Sequence, residues 1–519
     1  MRTRTLWAVA LAVSVAVAAT AFAAVGSSAA PSPGPASVSP PSLGETTPRF
    51  EPAPCPKTPH PIPALKTARC GYLVVPEDRK RPNGRTIKNA VAILPAQSKH
   101  PKPDPIVFMT GGPGAAAILD IPFLVEAGIN RNRELIVMAQ RGTLYDQPDL
   151  YCPELDHFYA RQVSMVFDAP STGAKQAAAA RACHERLVRR GTDPSAYNTT
   201  ENAADFADLR QALGVKEWNV YGYSYGSDLA LSFLRDHPEG IRTVTIDSVV
   251  PPNIVSLPWT WSSAREGITT IFKSCEAQPS CNSRYPDLLP TFIEEVRRLE
   301  AHPLVRRVRP PQGGPPVKVV LDGGTLVNML VGNVPRWPEV PAAITELAEG
   351  DPHRFLEARA AGAVVPENPE QALGMTESFI CQEWEPYGSP AAILKAGRRV
   401  FPTFPASVLV NAPQLPFLKE LCREWKVPKA PTSQRVRVHS DIPTLVVSGA
   451  VDSKTGAKWG RYAAQSLSRS TYVRIDNVAH WVIVQSPCAQ RIFQSFLSRP
   501  TGPQTACAAH TQASFPIER

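Results

Sequence analysis

The stretch Gly222-Tyr223-Ser224-Tyr225-Gly226 constrains the fold of this chain more than any other. Before it, Trp218-Asn219-Val220-Tyr221 reads as the end of a short buried strand. After it, Asp228 to Leu234 carries apolar residues at helical spacing. A chain that turns this sharply from strand to helix needs small residues on both sides, because the two backbones pass close together, and it holds the residue at the tip up and exposed. Gly-x-Ser-x-Gly alone is a common pattern, and an ordinary glycine turn is the plain alternative. The strand–turn–helix setting is what makes Ser224 a candidate nucleophile.

The neighbouring segments repeat the alternation. Pro105 to Met109, Glu134 to Met138 and Thr243 to Asp247 read as strands, while residues 174–190 and 198–214 carry helical patterns. Strands alternating with helices from about 100 to 250 predict a parallel sheet covered on both faces. Ahead of it, Cys70 to Pro76 and Ile87 to Leu94 flank Pro82-Asn83-Gly84, the signature of an antiparallel hairpin. From Pro251 to Arg437 the character changes to helical patterns with many prolines. Helices are expected over Thr291 to Ala301 and Pro341 to Glu349, and Val317 to Leu321 is one of few strand-like runs. The sheet pattern resumes at Ile442 to Gly449 and Thr471 to Ile475, with a closing helix from about Cys488 to Leu497.

Composition bounds the rest. The net charge of +9 is spread along 519 residues without a Lys/Arg block, which argues against a nucleic-acid partner. Arg2 and Arg4 precede an apolar run from Leu6 to about Ala19 and then small residues, the layout of a cleaved secretory signal. An uncleaved anchor is the alternative, disfavoured because the run is short for a span. No later stretch is long enough to insert stably in a membrane. Ten cysteines follow this segment, an even number that in an exported chain predicts disulfides. The simplest scheme pairs them sequentially: Cys55–Cys70, Cys152–Cys183, Cys275–Cys281, Cys381–Cys422 and Cys488–Cys507. None has the paired spacing of a zinc site. The expected organisation is a signal over 1–30, a Pro-rich extended or disordered leader over 31–63, core over 64–250, a mainly helical insertion over 251–437, and core with a tail over 438–519.

A serine hydroxyl needs a base within hydrogen-bond reach, and the base needs an orienting acid. Of ten histidines, only His480 follows a late core strand. Asp452 lies just past the strand Leu445 to Ser448 and is the acid chosen; Asp476, four residues before His480, and Asp247 are weaker rivals. The developing oxyanion needs two N–H groups. Tyr225 offers one. The loop Thr110-Gly111-Gly112-Pro113-Gly114 offers the other from Gly112, with Gly114 the alternative, because Pro113 has no N–H. Arg141, at the next strand end, is placed either to brace that loop or to lie at the surface.

Gly111-Gly112-Pro113-Gly114, Gln140-Arg141-Gly142, Gly222 to Gly226, Gly449-Ala450-Val451-Asp452 and His480 together resemble the α/β-hydrolase peptidase family of prolyl and tripeptidyl aminopeptidases, and more closely its secreted actinobacterial tripeptidyl-aminopeptidase-like branch. Pro335-Arg336-Trp337-Pro338, Cys381-Gln382-Glu383 and the cysteine-bearing C-terminal segment are similar to its insertion and tail. One position departs: relatives often carry an aspartate where Ala139 stands. The resemblance implies an α/β-hydrolase fold with a large mainly helical cap and peptide substrates opened at a free N-terminus through an acyl-enzyme, releasing tripeptides, other short peptides or single residues. No metal or organic cofactor is implied. Relatives also include esterases, so a carboxylesterase using the same Ser224, Asp452 and His480 is the alternative; a non-catalytic binding module on this fold is a third reading. An aminopeptidase needs a carboxylate for the protonated amine. Glu383 is the candidate, with Glu377 and Glu385 as alternatives and a surface glutamate as the plain reading. Activity is expected to require the neutral imidazole of His480, which must accept the serine proton.

Overall fold

The computed structural model describes residues 48–254, 256–365 and 370–516. The main sheet is built from β1 (Arg49–Pro52), β2 (Arg69–Pro76), β3 (Thr86–Leu94), β4 (Ile106–Met109), β5 (Leu135–Met138), β6 (Trp218–Tyr223) and β7 (Ile241–Asp247). A two-stranded sheet of β8 (Leu304–Val308) and β9 (Val317–Leu321) interrupts the series, and β10 (Thr444–Gly449) and β11 (Ser470–Ile475) complete it. The nine strands lie in the order β1-β2-β3-β5-β4-β6-β7-β10-β11. Pairing is antiparallel from β1 through β5 and parallel from β5 to β11. This is the α/β-hydrolase fold, a mixed and mostly parallel sheet with helices on both faces.

The strand sequences explain the burial. β4, β5 and β10 read as continuous apolar runs because both of their faces are covered, and every residue in them is buried. Alternation sends successive side chains to opposite sides. Val107, Ile136, Val220 and Val446 pack with Phe206 and Leu209 of α1 (Thr199–Ala212) and Leu229 and Phe233 of α2 (Tyr225–Asp236). Phe108, Val137, Tyr221 and Val447 pack on the other side with Ile492, Phe493 and Phe496 of helix Pro487–Ser498. The register aligns the strand ends: Tyr223 of β6 pairs with Asp247 of β7, and Asp247 with Val447 of β10. The loops after β4, β6, β7, β10 and β11 therefore emerge at one edge, the carboxyl end where ligands bind in open α/β sheets.

Between β7 and β10 the chain is mainly helical, including α3 (Ser256–Glu276), α4 (Leu373–Phe379) and α5 (Leu418–Trp425). The helices expected near 291–301 and 341–349 occupy Leu288–Ala301 and Val340–Ala348. Two strands differ from the sequence reading. β1 lies inside the stretch read as an extended or disordered leader outside the fold: Arg49–Pro52 pairs with Gly71–Val74, and Glu51 accepts a hydrogen bond from Lys88 Nζ at 2.6 Å. Surrounding prolines hide this short edge strand. β8 escaped because Val305, Arg306 and Arg307 are all exposed, so no alternation marks it. All five disulfides join sequential cysteines, and no described cysteine is free. Among the described residues no helix is long and apolar enough to cross a membrane. The signal expected over 1–30 lies outside the described residues.

Candidate active site

Ser224 sits at φ 55° and ψ −127°, a conformation rarely adopted by a residue with a side chain and held only where the surroundings impose it. The two glycines explain how the turn closes. A Cβ on Gly222 would lie 2.0 Å from Gly226 O, and one on Gly226 would lie 2.0 Å from Met109 O. Strand, turn and the neighbouring β4 loop leave no room for a methyl group at either place. Tyr225 is the first residue of α2, so its N–H has no partner within the helix and stands beside the serine.

Asp452 and His480 come together at the same sheet edge. Asp452 Oδ2 accepts from His480 Nδ1 at 2.8 Å and from Thr455 Oγ1 at 2.7 Å; Oδ1 accepts from the N–H groups of Lys454 and Thr455 at 2.9 and 3.0 Å. Burial by itself pushes this carboxyl up, but the imidazole and the Thr455 amide and hydroxyl outweigh it and hold Asp452 below the usual range. His480 keeps 20% of its side chain exposed, whereas Asp452 keeps 1%. The imidazole is thus oriented from one side and open on the other. No hydrogen bond joins Ser224 to His480 among the described contacts.

What brings the two loops together is Asp247. Its carbonyl accepts from Ser224 N–H at 2.9 Å, and its carboxylate accepts from Val482 N–H and Ile483 N–H at 3.0 and 2.9 Å. Ser248 Oγ accepts from Trp481 N–H at 2.9 Å. One strand end therefore pins both the serine turn and the histidine loop. Tyr223 completes the seam: its ring stacks on Trp481 at 4.4 Å and meets the His480 ring edge-on at 6.2 Å. Asp247, weighed above only as a rival acid, binds two backbone amides; Asp476 instead pairs with Arg474 at 2.8 Å on an exposed surface.

The glycine loop after β4 closes over the serine, with the Cβ position of Gly111 3.0 Å from Ser224 Cβ. Gly114 N–H points to Gln140 Oε1 at 3.4 Å, and Gln140 Nε2 donates to Thr110 O at 2.7 Å. Gly112 is exposed, and among the described residues its N–H has no hydrogen-bond partner. Gln140 thus does the bracing that is one of the two readings of Arg141. Arg141 is neither at the surface nor on the loop: fully buried, it makes two bonds to Asp205, at 2.8 and 2.7 Å, and donates to Glu77 O and Ala196 O. The strand-end position carried the right neighbourhood, but the side chain turns toward α1, where its counter-charge lies.

Glu383 is buried, not a surface glutamate. Its Oε1 accepts from Thr199 N–H at 2.8 Å, and it lies behind Tyr225, whose hydroxyl is 3.1 Å from Thr199 Oγ1. Burial pushes its carboxyl up to about 7, against the opposing pull of Thr199, Arg435 and Arg235. Asp228 is pushed up to about 8 by burial and by the nearby Glu383 carboxyl. Glu377 is also buried, with Oε2 unpartnered among the described residues, and Glu385 is partly exposed. Among the described residues the one metal-type cluster is Cys152, Glu154 and Cys183, and its two sulfurs are joined in a disulfide.

Two family descriptions match the chain: "alpha/beta hydrolase fold" over residues 104–273 and "TAP-like protein" over residues 408–508. The chain is 24% identical over 463 residues to the serine protease Hip1 of Mycobacterium tuberculosis, covering 84% of this chain and 86% of that protein. It is 28% identical over 196 residues to the tripeptidyl aminopeptidase of Streptomyces coelicolor, covering 36% of each. Among solved structures, proline iminopeptidase of Mycobacterium smegmatis is similar at a TM-score of 0.36 and 14% identity, covering 80% of this chain and 96% of that one.

Proposed function

We propose that this chain, which belongs to the α/β-hydrolase serine peptidases of the prolyl- and tripeptidyl-aminopeptidase kind, is an exported aminopeptidase that releases tripeptides, other short peptides or single residues from free N-termini. The observation that carries the chemistry is the 2.8 Å Asp452–His480 pair, set at the sheet edge where Asp247 ties the His480 loop to the strained Ser224 turn. Ser224 Oγ attacks the scissile carbonyl while the imidazole takes the hydroxyl proton on Nε2. Asp452 holds Nδ1–H and stabilises the imidazolium. The carbonyl oxygen gathers negative charge and is met by the N–H groups of Tyr225 and Gly112. The imidazolium returns its proton to the leaving amine, and water, deprotonated by the same base, releases the acyl group from Ser224. Five disulfides fit an oxidising compartment.

Matched peptide and ester substrates, each with a free and an acetylated amine, test the reading. The aminopeptidase loses most of its peptidase turnover on acetylation; an esterase is indifferent to it. Ser224→Ala abolishes turnover of every substrate, and full activity in that variant refutes the chemistry. For the amine we propose Glu383, a carboxyl kept from solvent beside Tyr225 that an incoming ammonium ion would ionise by pairing with it. Glu383→Gln then raises KM at least tenfold for free-amine peptides and leaves KM for a simple ester unchanged; equal effects on both substrates exclude the role.

A further inference from the structure

We infer that Gln371 and Thr376, side chains of the helical insertion, are positioning residues for the oxyanion loop. The inference rests on Ser224 being the acylated nucleophile. Both side chains converge on one backbone atom, Pro113 O. Thr376 Oγ1 donates to it at 2.7 Å, Gln371 Nε2 donates to it as well, and Gln371 Nε2 also donates to Thr376 Oγ1 at 2.8 Å. The bonds form a closed ring in which the hydroxyl gives its single proton to the carbonyl and takes one from the amide. Their partner is 258 and 263 residues away in sequence, so the clamp is a tertiary feature and not a local turn.

The backbone joins in. Ala372 N–H donates to Gly114 O at 2.8 Å, Ala116 N–H donates to Glu370 O at 2.9 Å, and Ala115 bridges Gln371 in antiparallel fashion. The approach is close enough that a Cβ on Gly114, at φ 96°, would stand 2.6 Å from Ala372 O and 2.7 Å from Thr376 Oγ1. From the core side Gln140 holds Thr110 O and meets Gly114 N–H. Carbonyls 110, 113 and 114 are thus each fixed, two of them from the insertion. Between them Gly112 is exposed and its N–H has no hydrogen-bond partner among the described residues, and it adjoins Gly111, whose Cβ position lies 3.0 Å from Ser224 Cβ. A donor works in an oxyanion site only if its direction is set before charge develops, and Gly112, itself a glycine and preceded by Gly111, does not set it alone; the carbonyl of the next residue, Pro113, is where the clamp takes hold. The insertion therefore contributes to the catalytic geometry itself.

Kinetics with a short-chain p-nitrophenyl ester test this, because any acyl hydrolase built on Ser224 turns it over whatever peptide it prefers. The variants are Thr376→Val, which keeps the shape and removes the donor, Thr376→Ser, which restores it, and the double variant Gln371→Met/Thr376→Val. Thr376→Val is expected to lower kcat ten- to a hundredfold with KM within about twofold, and to weaken a boronic acid that forms a tetrahedral adduct by the same factor. Thr376→Ser should stay within about threefold of wild type, and the double variant should fall at least as far as Thr376→Val. A double variant with wild-type kcat and boronate affinity overturns the proposal. So does a kcat loss that tracks only a fall in Tm or in the fraction of folded protein. Ser224→Ala run alongside separates the premise from the inference: residual wild-type turnover there removes the nucleophile itself, while its loss with unaffected clamp variants removes only the clamp.

Discussion

The Asp452 carboxylate has four hydrogen bonds and, in the proposed mechanism, one chemical task. Three of them, from Lys454 N–H, Thr455 N–H and Thr455 Oγ1, fix the carboxylate so that Oδ2 meets His480 Nδ1. Replacing it by asparagine keeps the shape but offers an N–H or a weaker neutral acceptor to the imidazole, which disfavours the tautomer whose Nε2 can accept the serine proton. Asp452→Asn is expected to lower kcat by about 10⁴ with little change in KM, the size seen when a buried triad acid is neutralised. A drop confined to KM would contradict the assignment. The positions of Ser224, Asp452 and His480 were legible because each follows a strand, and strand ends in a parallel sheet share one edge. The side chains that hold them were less so. Gln140 and Arg141 stand next to each other, and only the structure shows that the glutamine faces the loop while the arginine faces Asp205. Asp247 looked like a spare acid because its amide partners are 235 and 236 residues away.

At the scale of elements, the insertion is tied to itself by Cys381–Cys422, which joins the segment following α4 to α5 across a separation of 41 residues. Trp425 Nε1 donates to Ser378 Oγ at 3.1 Å alongside it. Chain-entropy reasoning gives a loop of this length about 4 kcal/mol of stabilisation, against about 2 kcal/mol for a loop as short as that of Cys275–Cys281. The double serine variant at 381 and 422 should therefore lower Tm more than the one at 275 and 281, measured under the same oxidising conditions. The reverse order would mean that strain or residual unfolded-state structure outweighs loop length. Because α4 carries Thr376 onto Pro113, the 381/422 variant should also lower kcat in protein that is still folded. The elements themselves were largely legible from periodicity, since buried strands and amphipathic helices repeat at 2 and 3.6 residues. β1 and β8 were not, because an edge strand among prolines and a hairpin strand with an exposed middle bury too little to leave a pattern.

For the whole molecule, the sum of buried carboxyls sets how stability follows pH. Burial pushes Glu377 and Asp228 up to about 8 and Glu383 up to about 7. Each binds its proton more tightly folded than unfolded, so its contribution to stability is fully present below its unfolded value and is lost as pH rises through the folded one. For Glu377 that window runs from 4.5 to about 8. Asp452 and Asp205 work in the other direction. Burial opposes them, but the imidazole beside Asp452 and the guanidinium groups of Arg141 and Arg79 beside Asp205 hold them low, and their contribution is lost as pH falls toward their folded values. Stability should therefore be greatest near pH 4 to 5 and decline toward pH 8, by at most ~1.4 kcal/mol per pH unit for each group titrating. Glu377→Gln isolates one such group. Its Oε2 has no partner among the described residues, so the neutral amide loses little at low pH and escapes the cost of a buried charge at high pH. The variant should match wild type near pH 5 and exceed it at pH 8 in Tm. Superimposable Tm profiles for the two proteins would show that Glu377 is ionised in the folded state at ordinary carboxylate pH, through a water or a counter-charge that reaches it.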